Sequence, residues 1–462
     1  MEILLLPISL FGKHVIKFLP DYFQTIPTVI LSIYFIYLLI KQKRNFNLSI
    51  TSGILLFLLI VLISQGFATI RTILTFPLTG IGVFEKYFQF IFLIFYFLIV
   101  YLVLKNSLDQ DVKINKFLKG FFFYGAILSI LLVIQFIFIQ TGWLKSVIEF
   151  IGCNFAQGSY SESINPNYLT STVDYLKQFA RPNGLDPEGR DVAIRLAIIV
   201  VSFLLAALKN DFLLVKNKNK SRIMYLTLLG LVILLMFAIQ TLASLVFGGL
   251  SIIFAIPIII IKKKNRPHFF YKEGAIVTSL IGLGVALIYV FPNATIDLGE
   301  ANRTASAIAL FRVFLHHPLI GVGYDFSSPY AIVLAPEKYS NSITNIQIYL
   351  ANNQMPALNT VLAWFSQFGL IVILPILFYI IRAKLDFTIL IDRMQEAKLN
   401  QEKITLYQTV DDLFFFGLIF LIPASFLLFD WRGLSYVMVA FFVLVTKDLL
   451  KQQLDILAPL KE

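Results

Sequence analysis

"YFQFIFLIFYFLIVYLVL", residues 87–104, carries no charge and one amide over its whole length. A run of this kind approaches the roughly 20 apolar residues that a helix needs to cross the hydrocarbon core of a bilayer. It has company: "IPTVILSIYFIYLLI" (26–40), "GILLFLLIVLI" (53–63) and "GAILSILLVIQFIFI" (125–139) are of the same type. A closed membrane barrel would show shorter segments that alternate apolar and polar residues, and these runs do not alternate. The reading is therefore an all-α, polytopic integral membrane bundle.

The bulk numbers agree. The 462 residues are 58% hydrophobic and 14% charged, against about 25% charged in a soluble domain, and the mean hydropathy is +0.81. The net charge of +11 does not point to nucleic acid, because the basic residues lie in short clusters between apolar runs. "KQKR" (41–44), "KNKNKSR" (216–222), "KKKNR" (262–266) and "KDLLK" (447–451) mark cytoplasmic ends by the positive-inside rule. The single cysteine, Cys153, cannot close an internal disulfide and has no neighbours at metal-ligand spacing, so no metal site and no cofactor is expected. The opening "MEILLLPISLF" lacks a basic n-region and a small-residue cleavage site, so no removable signal peptide is expected.

Alternation of runs and basic clusters places spans near 22–40, 50–69, 84–104, 118–140, 190–208, 223–240, 242–261, 273–291, 359–381, 412–429 and 434–446. The first twenty residues make either a twelfth span or an interfacial helix. The chain reads as one membrane domain, 1–462, of about 11–12 spans. It has two long outer loops, 141–189 and 292–358, and an inner segment, 382–412, whose mixed charge suggests an amphipathic surface helix. Loops of such length in a compact protein are more often functional than not.

The first outer loop ends in "YLKQFARPNGLDPEGRDVAIRLAIIV". Asp191 and Arg195, four apart, are spaced for an ion pair on a helix. Arg181 instead enters a stretch punctuated by Pro182, Gly184, Pro187 and Gly189, where regular helix is prevented. A guanidinium held by such a turn suits a phosphate, since its planar fork binds two oxygens at once; a headgroup-facing arginine is the plain alternative. Glu188 either orients an acceptor hydroxyl or balances Arg190.

The second outer loop opens with "NRTASAIALFRVFLHHPLIGVGYDF", residues 302–326. Ala307, Leu310, Phe311 and Phe314 recur at three and four, which predicts a helix stopped by the His-His-Pro. Arg312 would face the negative end of that helix's dipole; Arg303, near its start, gains nothing from the dipole and calls for an anionic partner. His316 and His317 are candidates for capping carbonyls or, for His317, for proton transfer. Gly321 and Gly323 give backbone freedom, and a lone Gly-Val-Gly is too weak to mean a nucleotide site.

These elements together resemble the O-antigen ligase and O-antigen polymerase superfamily. The 302–326 stretch is similar to its segment of an arginine, a short helix and "hPl.GvG.nf". "LNTVLAWFSQFGLIVIL" (358–374) resembles its "HN.yL....GliG" element, and "RPNGLDPEG" (181–189) its "RpsG...P". The likeness covers residues 180–380. It implies a GT-C type membrane glycosyltransferase of the bacterial inner membrane, acting at the outer face, with an undecaprenyl diphosphate-linked oligosaccharide as donor and inversion at the sugar carbon. Membrane lipid and a chain-length regulator protein are the further partners of that reading. Arg181 and Arg303 match the family's diphosphate arginines, with Glu188 as the third catalytic candidate. Arg190, Arg312, His317 and Asn359 are the candidates for binding substrate. Where the ligases carry histidine before the asparagine, this chain has Leu358. That departure favours a polymerase over a ligase, and leaves Glu188, Asp325, Glu337 or His317 as replacement base, or no strong base at all. A lipid-linked oligosaccharide flippase is the contrasting class, but midspan ionisable groups and internal repeats, which transporters commonly show, are not evident.

Overall fold

The computed structural model describes residues 1–11, 26–42, 47, 52–76, 80–155, 173, 176, 177, 180–186, 188–260, 298–334, 358–397, 399–427 and 431–457. They form an all-α membrane bundle, with no strand among the described residues. In chain order the helices are α1 (Glu2–Ile8), α2 (Ile26–Gln42), α3 (Ser52–Thr75), α4 (Gly80–Ser107), α5 (Asp111–Thr141), α6 (Lys145–Phe155) and α7 (Gly189–Asn210). There follow α8 (Lys218–Ile239), α9 (Leu242–Ile260), α10 (Leu298–His316), α11 (Ser328–Leu334), α12 (Thr360–Glu396), α13 (Gln401–Ser425) and α14 (Leu434–Leu457).

Among the described residues eight helices are long and apolar enough to cross a membrane: α3, α4, α5, α7, α8, α9, α12 and α13. Two more expected spans are present as α2, a shorter apolar helix, and α14, which carries Lys447, Asp448 and Lys451 near its end. The expected span at 273–291 and the stretch that would decide whether the first twenty residues span lie outside the described residues.

α7 is the axis of the bundle. Of its most apolar window 89% is buried, against 28–50% for the other spans, so it is walled by protein where they face lipid. Its middle, Leu196–Val201, is a π-helical segment, every residue of it buried. Helices α5, α8, α9 and α13 pack around it.

The expected surface helix at 382–412 is absent as a separate element. Ala383, Phe387, Leu390, Ile391 and Met394 recur at three and four and are all buried, so the amphipathic stripe simply continues α12 along the bundle. Asn400 then caps α13, its side chain accepting from Glu402 N at 2.9 Å. Lys384 and Asp411 lock the two helices at 2.6 Å, and Lys209 of α7 pairs with the adjacent Asp412 at 2.7 Å. This is the basic end of the bundle. The opposite end, from which both long connections emerge, is the loop end.

At the loop end, residues 317–323 dock main chain to main chain on a break in α12. Leu370 N donates to Pro318 O (2.8 Å) and Ile371 N to Leu319 O (3.0 Å); in return Val322 N donates to Ser366 O (2.9 Å) and Gly323 N to Gln367 O (3.1 Å). The break is Gly369, at φ 66° and ψ −177°. Gly321, at φ 64°, faces it. A Cβ on Gly321 would fall on the Gln367 carbonyl, and one on Gly369 on the Leu319 carbonyl. Side chains of α3 take the loop's other carbonyls: Gln65 bonds Ile320 O (3.4 Å), Arg71 bonds Gly321 O and Thr72 bonds Val322 O (2.7 Å).

Alanine at Gly321 or Gly369 therefore costs about 1–3 kcal/mol for the left-handed backbone, plus the displacement of a carbonyl, and lowers the thermal midpoint of the purified protein. Gly230→Ala, in α8 with no atom within 4 Å of the added Cβ, is neutral or stabilising by up to roughly 1 kcal/mol. Equal midpoints for Gly321→Ala and Gly230→Ala would rule out the docked loop.

Candidate active site

The first group of candidates sits where the chain enters α7. One glutamine, Gln135 of α5, holds the turn: its Oε1 accepts from Asn183 N (3.0 Å) and Gly184 N (2.7 Å), and its Nε2 donates to Gly184 O (2.7 Å). Asn183 Nδ2 closes the turn on Asp186 O at 2.7 Å. The folded-back turn delivers the Asp186 carboxylate to Arg195, and both are buried. This corrects the expected Asp191–Arg195 pair. Spacing of four allows that pair, but the long-range turn supplies Arg195 with a better-placed partner, and Arg195 also lies 5.9 Å from the Tyr436 ring.

Asp191 turns instead to Arg190 (3.4 Å), whose other flank meets Glu188 at 3.2 Å. Arg190, a substrate-binding candidate, is thus held between two carboxylates, and Glu188 has the balancing role that was one of its two readings. Arg181 differs from both. It is exposed, follows Ala180 at a positive φ of 52°, and has no hydrogen bond or ion pair to another described residue.

The second group is built on α10. The expected helix is present but begins at Leu298, so Arg303 lies in its second turn, where the dipole argument has faded. Leu358 N donates to Ser306 Oγ at 3.1 Å, which brings the start of α12 alongside the same stretch of α10. Asn359 caps α12: its Oδ1 accepts from Leu362 N (3.0 Å) and its Nδ2 reaches Phe426 O (3.4 Å). Thr360 bonds Leu427 O through both N (3.2 Å) and Oγ1 (2.7 Å), so α12 starts against the end of α13. Arg312 does not serve its own helix end; it is exposed and donates to Leu334 O, the last carbonyl of α11, at 3.0 Å. Glu337, one of the possible bases, lies outside the described residues.

His317 stands at the far end of α10 from Arg303, about 20 Å of helix rise away. Its ring meets Tyr330 edge to face at 5.1 Å, and Tyr330 donates its hydroxyl to Thr72 Oγ1 at 3.0 Å, since the Thr72 proton is used on Val322 O. His317, a candidate for replacement base and for substrate binding, is therefore distant from Arg303 along the helix.

Three cations that the sequence reading passed over converge on the same loop. Arg71 binds Gly321 O, Lys86 pairs with Asp325 at 2.9 Å, and Arg432 donates to Tyr324 Oη at 2.7 Å. Arg71 was findable: Gln65, Thr69 and Thr72 form a polar stripe beside it within an apolar span, and an ionisable group in a span is a functional candidate by default. Among the described residues no cluster of His, Cys, Asp or Glu is grouped to hold a metal.

Arg195→Met strands a buried carboxylate and costs roughly 3–5 kcal/mol of stability, whereas Arg181→Met, on an exposed turn, costs less than about 0.5 kcal/mol; thermal unfolding separates them. Comparison with known proteins adds no relative: no protein-family model and no curated protein matches this chain.

Proposed function

We propose that this protein is a surface-polysaccharide polymerase, a metal-independent, inverting membrane glycosyltransferase with its site at the loop end of the bundle. The donor is a glycan on undecaprenyl diphosphate and the acceptor a lipid-linked repeat unit. The bond from the sugar's anomeric carbon to the diphosphate oxygen breaks. An acceptor hydroxyl oxygen bonds to that carbon from the opposite face, its proton leaves to solvent or to Glu188, and the lipid diphosphate departs with the electron pair. In this reading the membrane is the bacterial inner membrane, the loop end faces outward, and a chain-length regulator protein is a partner.

One observation carries the reading. Around α7, Arg190 and Arg195 are neutralised by Glu188, Asp191 and Asp186, while Arg181 is left exposed on a turn fixed by Gln135. A guanidinium that leaves such a turn with no carboxylate bound to it among the described residues is suited to an external dianion, and charge building on the leaving diphosphate is what such a group stabilises. Arg303, on a helix tied to α12 at Ser306, supplies the second fork. Leu358, whose N–H meets Ser306, favours the polymerase over the ligase, whose histidine stands in that position.

Purified protein given a synthetic undecaprenyl diphosphate repeat unit is expected to produce a ladder of glycans. Arg181→Lys and Arg303→Lys keep the charge but lose the bidentate geometry, and each is expected to reduce polymer formation by more than about tenfold. Arg312→Lys retains a donor for Leu334 O and remains active. Near-normal ladders from both Arg181→Lys and Arg303→Lys would remove the diphosphate clamp. Orientation is checked separately in a Cys153→Ser background: a cysteine replacing Lys177, at the loop end, reacts with an impermeant maleimide added outside the cell, and one replacing Lys218, at the basic end, does not.

A further inference from the structure

We propose that α10, the 317–323 loop and α11 form a re-entrant element seated in the loop-side half of the bilayer, with one face of α10 against lipid acyl chains instead of water. The inference goes beyond the glycosyltransferase reading and does not depend on it. Three observations converge on it.

The first is direction and depth. α10 runs the same way as the start of α12: Ser306 meets Leu358, Phe314 packs on Phe365 at 5.3 Å, and Leu319 O accepts from Ile371 N. From Thr360 the sequence of α12 carries no charge until Arg382. A helix rise of about 20 Å separates Gly369 from Arg382, less than the roughly 30 Å of the hydrocarbon core. The loop docked on Gly369 is thus at bilayer depth.

The second is the outer face of α10. Ala305, Ala309 and Val313 are buried toward Ala363, whereas Phe311, Leu315 and Leu319 are 47%, 58% and 61% exposed. Phe311 and Leu315, spaced by four, share one face of α10, and Leu319 follows in the turn after the helix; all three are large apolar groups left exposed by the protein. Leu319 lies beside Ile371, from which the exposed face of α12 continues through Leu374 and Phe378. These groups extend the lipid-facing surface of a membrane-spanning helix, and this continuity identifies acyl chains as their occupant.

The third is the loop's main chain. Every carbonyl from His317 to Gly323 accepts a hydrogen bond: from Gly321 N, Leu370 N, Ile371 N, Gln65, Arg71, Thr72 and Phe326 N in turn. A loop in water has no need of an arginine on a carbonyl. Non-helical backbone at membrane depth does, because it is tolerated only where protein satisfies it. The same segment would place the polar turn of the loop end within reach of a lipid-borne substrate from the side.

Nitroxide labels at Leu315→Cys and Leu319→Cys, in a Cys153→Ser background reconstituted in phosphatidylglycerol–phosphatidylethanolamine vesicles, test the placement by collision with oxygen and with a water-soluble nickel chelate. Leu374→Cys is the lipid-facing control and Lys177→Cys the aqueous one. The expected result is that both positions behave like Leu374, reached by oxygen with loss of nickel contact. Nickel access equal to that at Lys177 overturns the proposal. Shielding from both reagents also overturns it, since the face would then be covered by protein. Glycan synthesis by the same vesicles is scored independently, so a failed placement leaves the enzymatic reading untouched, and the reverse.

Discussion

Two peptide chains cross at Gly321 and Gly369 with no room for a side chain on either, and the loop end of the molecule is arranged around that crossing. The hydrogen bonds that close it run both ways, from 370 and 371 to 318 and 319 and from 322 and 323 to 366 and 367. They fix the angle at which α10 leaves α12. From that angle follow the contact of Ser306 with Leu358, the edge-to-face contact of His317 with Tyr330 and the grip of α3 on successive carbonyls. A turn that in isolation is only a Gly-Val-Gly becomes, in the fold, the joint between a spanning helix and the helix that carries Arg303.

Charge in this bundle follows the cost of burial. Among the described residues three cations drawn inside bring a carboxylate with them: Lys384 with Asp411, Lys209 with Asp412, Arg195 with Asp186. Such pairs roughly offset their own desolvation and fix geometry more than they add stability. Arg71 meets the same demand differently, by donating to a main-chain carbonyl. Against this background an exposed arginine on a constrained turn is informative, because the molecule has carboxylates to spare nearby and has placed them on Arg190 and Arg195 instead.

The spans were legible because apolar runs of bilayer length admit few alternatives, and the 302–316 helix because its apolar spacing and the His-His-Pro stop agree. What sequence could not supply was partnership over distance. Gly321 reads as a turn glycine, but that Gly369 opposes it is set by tertiary approach, not by local spacing. Asp191 and Arg195 have the right interval for a pair, yet Gln135, far back in the chain, folds the 183–186 turn so that Asp186 arrives first. Arg71 was missed because the expected span stopped at residue 69, whereas the helix runs on to Thr75. The 382–412 segment showed a true amphipathic stripe, but a stripe alone does not say whether it faces a membrane surface or continues down a bundle.

In the proposed reading the two arginines serve one diphosphate, and the backbone supports of both are tied to helices of the bundle. α7, which the Arg181 turn enters, packs along α13, and α12 begins with Thr360 bonded to Leu427 just beyond the end of α13. The Arg181 turn is fixed from the opposite side by α5, through Gln135. On that reading the two supports rest on helices of the bundle, and the glycan is met by the long outer connections. Such a division suits an enzyme whose leaving group is constant and whose glycan differs from one surface polymer to the next: electrostatics built on the bundle, recognition built on the loops.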